Sequence, residues 1–199
     1  MKKGLIYFSP QEVAAYRITA AMLVLLPFSL PNLKTFKGNF LPLLASGLFG
    51  NGIPAFLFAI AQTEIPSSLS GILNSLTSLF TLLIGILFFR VAAVRFQIAG
   101  VVVALIGALG LIGFASLMDF GIYGKYATLV IIAAGCYGIA VNIIKFYLHD
   151  IKPAHITSLS FLLIGPGVLI YLLTGTQLVE KVTSVPGAWL GLFYVSLLG

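Results

Sequence analysis

This chain has very little charge. Of its 199 residues, eleven are Lys or Arg and five are Asp or Glu, so charged side chains make up 8% of the sequence. A water-soluble domain normally carries about three times that share, much of it on its surface. Cysteine is scarcer still: one thiol, Cys136, excludes a disulfide framework and a thiolate metal site within the chain. The two histidines, His149 and His155, flank a short polar connection with no Cys or acidic partner at ligand spacing. They read as interfacial loop residues, not metal ligands. No His-Glu metal helix, phosphate-cradling glycine loop or Ser/His/Asp set is present, and no carboxylate falls near the middle of an apolar run. No cofactor is implied. The net charge of +6 and pI near 9.6 do not point to nucleic acid, because the basic residues stand singly between apolar runs. They read as topology-setting charge.

What the chain does have is apolar length. Mean hydropathy is +1.12 and 60% of residues are hydrophobic. A hydrocarbon core of about 30 Å needs roughly 20 helical residues at about 1.5 Å each. The spacing predicts spans near Pro10–Leu30, Leu41–Thr63, Ser67–Phe89, Phe96–Leu117, Tyr126–Leu148 and Ile156–Leu173. A seventh, Pro186–Gly199, reaches only about 21 Å, so the chain is expected to be a fragment of a longer protein. Continuous apolar runs of this length exclude a β-barrel, which shows short alternating segments. Ser9-Pro10-Gln11-Glu12 interrupts the N-terminal segment before any adequate apolar run, which argues against a cleaved signal peptide. The fold class expected is all-α: a polytopic membrane helix bundle.

The connections carry a charge code. Lys34 and Lys37, Arg90 and Arg95, and Lys145 and Lys152 mark alternate loops. Lys2, Lys3, Lys125 and Lys181 lie on the opposite side, with Glu64, Asp119 and Glu180. The first set holds the larger share of basic residues and is expected in the cytoplasm. Met1 then lies outside, a conflict that one further upstream helix removes.

An internal echo adds to this. The first span opens Ser9-Pro10 and the sixth Lys152-Pro153. Arg17 and Ser160 stand at matching places after those prolines, and Pro27 and Pro166 follow later. The charge code runs the two spans in opposite directions, as in an inverted-topology repeat built around a midplane site. With five helices per unit, both units are incomplete here.

The residues also resemble a known family. Phe8-Ser9-Pro10-Gln11-Glu12-Val13-Ala14-Ala15-Tyr16-Arg17 is similar to the second-helix signature of EamA-type members of the drug/metabolite transporter superfamily. Ser67-Ser68-Leu69-Ser70-Gly71-Ile72-Leu73-Asn74-Ser75-Leu76-Thr77-Ser78-Leu79-Phe80 resembles the fourth helix, and Gln97-Ile98-Ala99-Gly100-Val101 with Gly107 the fifth. The family commonly has proline at Ser78 and glutamate at Arg90. The resemblance implies helices two to about eight of a ten-helix transporter truncated at both ends. Residues 1–118 would form a first repeat lacking one helix, and residues 119–199 the start of a second. It also implies a basic residue at Arg17 as usual for the family.

Polar residues inside the spans are the binding candidates. Arg17 lies about seven residues into the first span, where an arginine costs roughly 2.5–3.5 kcal/mol on insertion scales. It either faces a cavity and attracts an anionic group, or snorkels or pairs with a neighbouring helix. The third span carries Ser67, Gly71, Asn74, Ser78, Thr81 and Gly85 on one helix face, a packing stripe whose Asn74 and Ser78 can also line a cavity. The fifth repeats the device with Gly135, Gly138, Asn142 and Lys145, and Tyr137 stands where the resemblance implies tryptophan. Asn51 and Pro54 interrupt the second span and Gly165-Pro166-Gly167 the sixth, where freed carbonyls line a path or mark a packing defect. Gly100, Ala104, Gly107 and Gly110 read as helix contacts, and Trp189 as an interfacial belt residue. The candidate substrate-binding set is Arg17, Asn51, Asn74, Ser78, Tyr137 and Asn142.

The expected function is a secondary carrier, exporting small metabolites such as amino acids or amphipathic compounds by alternating access. Its partners would be that substrate, the bilayer of a bacterial-type plasma membrane and, as an allowed assembly, a second copy. An intramembrane enzyme needs clustered acids or histidines, which this chain lacks. A membrane scaffold that transports nothing would tolerate Asn74→Leu and Asn142→Leu but not Gly71→Leu.

Overall fold

The computed structural model describes residues 8–92 and 95–175, with side chains at 95, 104–105, 108–109 and 111–123 left aside. Among them it is all helical, and five helical segments are long and apolar enough to cross a membrane. The expected seventh segment and Trp189 lie outside the described residues.

The first crossing, α1 (Pro10–Ser29), begins with a capping box. The Ser9 amide donates to Glu12 Oε2 at 2.8 Å and the Glu12 amide donates to Ser9 Oγ at 3.3 Å. Two N-terminal amides that the helix leaves unpaired are thereby satisfied, and Glu12 is buried in doing so. A 3₁₀ stretch, Leu30–Phe36, extends the helix to the first connection.

The second crossing is broken where Pro54 predicts. Helix α2 (Phe40–Gly47) widens into a π turn over Leu48–Gly52 before α3 (Ile53–Glu64). Proline has no amide proton and its ring crowds the carbonyl four residues earlier, here Gly50, so the backbone opens at that turn. The third crossing, expected as one helix, is two: α4 (Ser67–Asn74) and α5 (Leu76–Phe89). At Ser75 the amide is shared between the carbonyls of Gly71 and Ile72, while its hydroxyl donates to Ile72 O at 2.6 Å. Hydroxyls clustered in one turn compete with the helix for its own carbonyls. Helix α5 stops at Arg90, which adopts a left-handed conformation (φ 51°) while the Val91 amide donates to Gly85 O at 3.0 Å. The Arg90 amide reaches the same Gly85 carbonyl, so the end closes one residue wider than a Schellman motif, with arginine in the left-handed conformation where glycine is usual.

Helix α6 runs Arg95–Tyr147, helical across the expected fourth and fifth spans. A straight helix would hold Gln97 and Asn142 about 68 Å apart. They line one cavity, so the segment doubles back between them. Its second arm, Gly124–Tyr147, qualifies as a crossing. The last crossing, α7 (Pro153–Thr174), passes through Pro166 without ending, so the expected interruption is absent.

Packing pairs the ends as the charge code requires. Leu43, Leu148, Ile156 and Leu159 cluster with Phe36, and the rings of Phe89 and Phe146 stack at 4.8 Å. The three connections near residues 37, 90 and 150 therefore share one end of the bundle. At the opposite end Phe8, Val13 and Ala15 bury against Leu172.

Helices α1 and α7 are antiparallel: Met22 contacts Gly165, and Ala15, one heptad earlier, meets Leu172, one heptad later. Met22 is the twelfth residue after Pro10 and Gly165 the twelfth after Pro153. These positions, at the same distance after the two opening prolines, thus touch. Among the described residues, a Cβ at Gly100, Gly107 or Gly110 would meet nothing within 4 Å, so no partner for the expected glycine contacts of the first α6 arm is found there. That arm reaches the second core cluster through Val101.

Candidate functional site

Between the second crossing, the later arm of α6 and α7 lies a cavity of about 230 Å³. Two glycines frame it. A Cβ on Gly47 would sit 3.0 Å from the Ser160 carbonyl, and one on Gly50 3.2 Å from the Ala140 side chain, so a larger residue at either place forces the helices apart. Below this contact the helices diverge, and Ser46, Asn51, Tyr137, Thr157 and Ser160 give the cavity its polar lining among Val141, Ile144 and Ile156. Asn51 belongs to the π turn, the local widening that Pro54 imposes.

The hydroxyls of Ser46 and Ser160 are buried and 2.9 Å apart. Ser46 Oγ donates to Leu43 O at 2.9 Å, and Ser160 Oγ reaches the same carbonyl at 3.2 Å. Two protons cover three contacts, so either hydroxyl can turn toward a ligand in the cavity while the other remains bonded.

Tyr137 lies ten residues before the end of α6, about 15 Å along the helix and so near the bilayer centre. Its ring packs against Phe58 with centroids 6.0 Å apart. Arg17, half-buried on α1, lies within electrostatic reach of Tyr137. The cavity offers a phenol, hydroxyls and an amide in its lining, with a cation in electrostatic reach of the phenol and Phe58 packed behind it. It can hold a small solute with an anionic or strongly polar head and an apolar body.

The six residues singled out from the sequence do not share one hollow. Asn51 and Tyr137 line this cavity, and Arg17 adjoins Tyr137. Ser78 and Asn142 line another, of about 570 Å³, between α5 and the two arms of α6. Asn74 lines neither; it is exposed at the end of α4 and accepts from Thr77 Oγ1 at 3.3 Å. Asn142 is buried and donates to both Thr81 O and Gly138 O at 2.8 Å. Its amide protons are fully used tying α5 to α6, which leaves one carbonyl oxygen for any ligand. The residues missed by reading the sequence are Ser46 and Thr157. Ser160 stood in view as the counterpart of Arg17 in the echo, and both positions now border one site.

The profile of the EamA-like transporter family matches residues 1–113. No curated protein and no solved structure matches the chain. The match covers more than half of the sequence and falls on apolar helices able to cross a bilayer repeatedly. This multi-pass integral membrane protein therefore belongs to the EamA-like transporter family.

Proposed function

We propose that the chain belongs to a secondary carrier that exports small amphipathic metabolites, amino acids among them, across a bacterial-type plasma membrane by alternating access. The single observation that carries the reading is the cavity lined by Ser46, Asn51, Tyr137, Thr157 and Ser160, with Arg17 beside its phenol. A rigid helix bundle has no packing reason to leave a polar void near a half-buried guanidinium.

Arg17 supplies the cation for a carboxylate or comparable head group. Tyr137 and Asn51 orient that head through hydrogen bonds, and Val141, Ile144 and Ile156 accept the apolar portion. The contact of Met22 with Gly165 across antiparallel helices supports two inverted repeats, residues 1–118 and 119–199, related by an axis near that contact. A glycine there lets α1 and α7 cross closely and rock against one another, closing the cavity at one end as it opens at the other.

The test is flux in proteoliposomes. A mixture of radiolabelled amino acids loaded inside should leave faster than from empty vesicles, and Arg17→Ala should cut the rate at least tenfold. Thr157→Leu should do the same by filling the cavity, with the variant's unfolding temperature unchanged. Flux equal to that of empty vesicles, or unaffected by both substitutions, overturns the reading.

A further inference from the structure

The second cavity, with Lys145 at its mouth, is built unlike the first. It lies between α5 and the two arms of α6, with a volume of about 570 Å³, in the usual range for a bound organic molecule. Most of its wall is apolar: Leu79, Leu82, Val91 and Val101. Its polar groups are spread along it: Gln97 and Lys145 lie toward the Val91 end, Thr81 and Asn142 midway, and Thr77 and Ser78 toward the start of α5. Lys145 is two residues from the end of α6, beside Val91, which follows the end of α5. Ser78, Gln97, Gly100 and Lys145 are all exposed, so the cavity opens at the surface of the bundle and not into its interior.

That surface is apolar. Among the described residues Leu87 is 72% exposed, Phe88 77%, Phe96 88% and Val103 69%, side chains suited to an acyl environment. Lys145 is placed where a membrane lysine normally projects to the head-group layer. Its ammonium lies 5.6 Å from the Phe146 ring centroid, and among the described residues no carboxylate pairs with it. The end it occupies carries the connections with Arg90, Arg95 and Lys152, the basic side of the chain. Anionic lipid is attracted to that side of a membrane protein.

We propose that this cavity is a binding site for one anionic phospholipid of the cytoplasmic leaflet. The phosphate would sit at Lys145, and one acyl chain would enter between α5 and the first arm of α6 along Leu82 and Val101. The missing Cβ at Gly100, which has nothing within 4 Å, leaves the opening wide enough for that chain. The lipid would fill a wedge that the helices leave unpacked, as a structural ligand separate from the transported solute.

Native mass spectrometry of the detergent-purified chain tests this, with phosphatidylglycerol and phosphatidylcholine added in turn. A retained phosphatidylglycerol adduct at least tenfold more abundant than the phosphatidylcholine adduct is expected. Lys145→Gln should abolish that preference, while Lys152→Gln, outside the cavity on the same side, should leave it intact. Gly100→Leu should block the adduct by filling the opening. It changes no packed contact, so its unfolding temperature without lipid should match the parent's. Equal adducts for the two lipids, or a preference surviving both Lys145→Gln and Gly100→Leu, overturn the proposal. So does equal loss with Lys152→Gln. Competition by glycerol phosphate at the same concentration as the lipid would assign the site to a soluble phosphate and overturn it as well. Failure here leaves the solute cavity untouched, because Lys145, Lys152 and Gly100 do not line it.

Discussion

Two glycine-containing regions of this bundle differ. Among α1, the second crossing, α7 and the later arm of α6, several glycines are where helices touch, Gly47 on the Ser160 carbonyl, Gly138 on the backbone of Phe80 and Thr81 and Gly165 on Met22, while Gly135 and Gly167 on the same helices are open. In α4 and the first arm of α6, Gly71, Gly100, Gly107 and Gly110 all meet nothing within 4 Å among the described residues. The sequence signature is the same, small residues at helical spacing. A small residue permits close approach but does not cause it; a partner surface must arrive. In the first region α1, the second crossing, α7 and the later arm of α6 supply that surface on several sides.

The comparison can be broken most severely at Gly138. A Cβ there would lie 2.9 Å from Phe80 C and Thr81 N, backbone atoms that cannot move aside, so Gly138→Leu should separate α5 from α6. Overpacking of this kind costs about 1–3 kcal/mol or more, and should appear as a large fall in unfolding temperature in detergent. Gly165→Ala should follow. Its Cβ would fall within 2.7 Å of Met22 Cγ and 2.8 Å of Met22 Cβ, and the expected cost is about 1–3 kcal/mol. Met22→Ala in the same chain should recover part of the loss, because it removes Met22 Cγ and Sδ but keeps Cβ. Failure of the double variant to recover would remove the direct α1–α7 contact from the account.

Smaller effects are expected from the polar tie between the regions. Asn142→Leu loses the bonds to Thr81 O and Gly138 O. In membranes such bonds average about 0.6 kcal/mol and reach about 1.7. A moderate drop in unfolding temperature with solute flux retained is expected, and flux abolished in a stable variant would return Asn142 to the solute site. The smallest effect, and the opposite sign, belongs to the open region. Gly107→Ala meets no neighbour and should stabilise by at most about 1 kcal/mol through helix propensity. A clear loss of stability there would mean that the open glycines are covered by a surface after all.

Much of this was legible in the residues. Span limits followed from apolar length, since burying unpaired backbone in lipid is costly enough to force whole helices. Pro54 announced the break in the second crossing because its missing amide is a local fact. The break at Ser75 was less legible, since it depends on hydroxyls choosing local carbonyls over the helix. Pro166 misled in the other direction: α7 continues through it, held along its length by α1 and the second crossing.

The candidate site was legible only in its members. Arg17 was marked by its insertion cost, Asn51 by the interruption at Pro54 and Tyr137 by the resemblance. Asn142 and Ser78 stood in small-residue stripes and face a different cavity, while Asn74 lies outside both. A penalty tells that a polar group needs a partner and does not tell which one. Asn142 found backbone carbonyls on two helices.

By itself the sequence determined that the chain crosses a membrane repeatedly in helices, which connections share a side, and that α1 and α7 echo one another. Those follow from one-dimensional quantities: apolar length, charge placement and the position of proline. The tertiary structure alone decided that the polar residues divide between two cavities and which glycines are contacts. Both depend on which faces meet across the bundle, and no single helix carries that information.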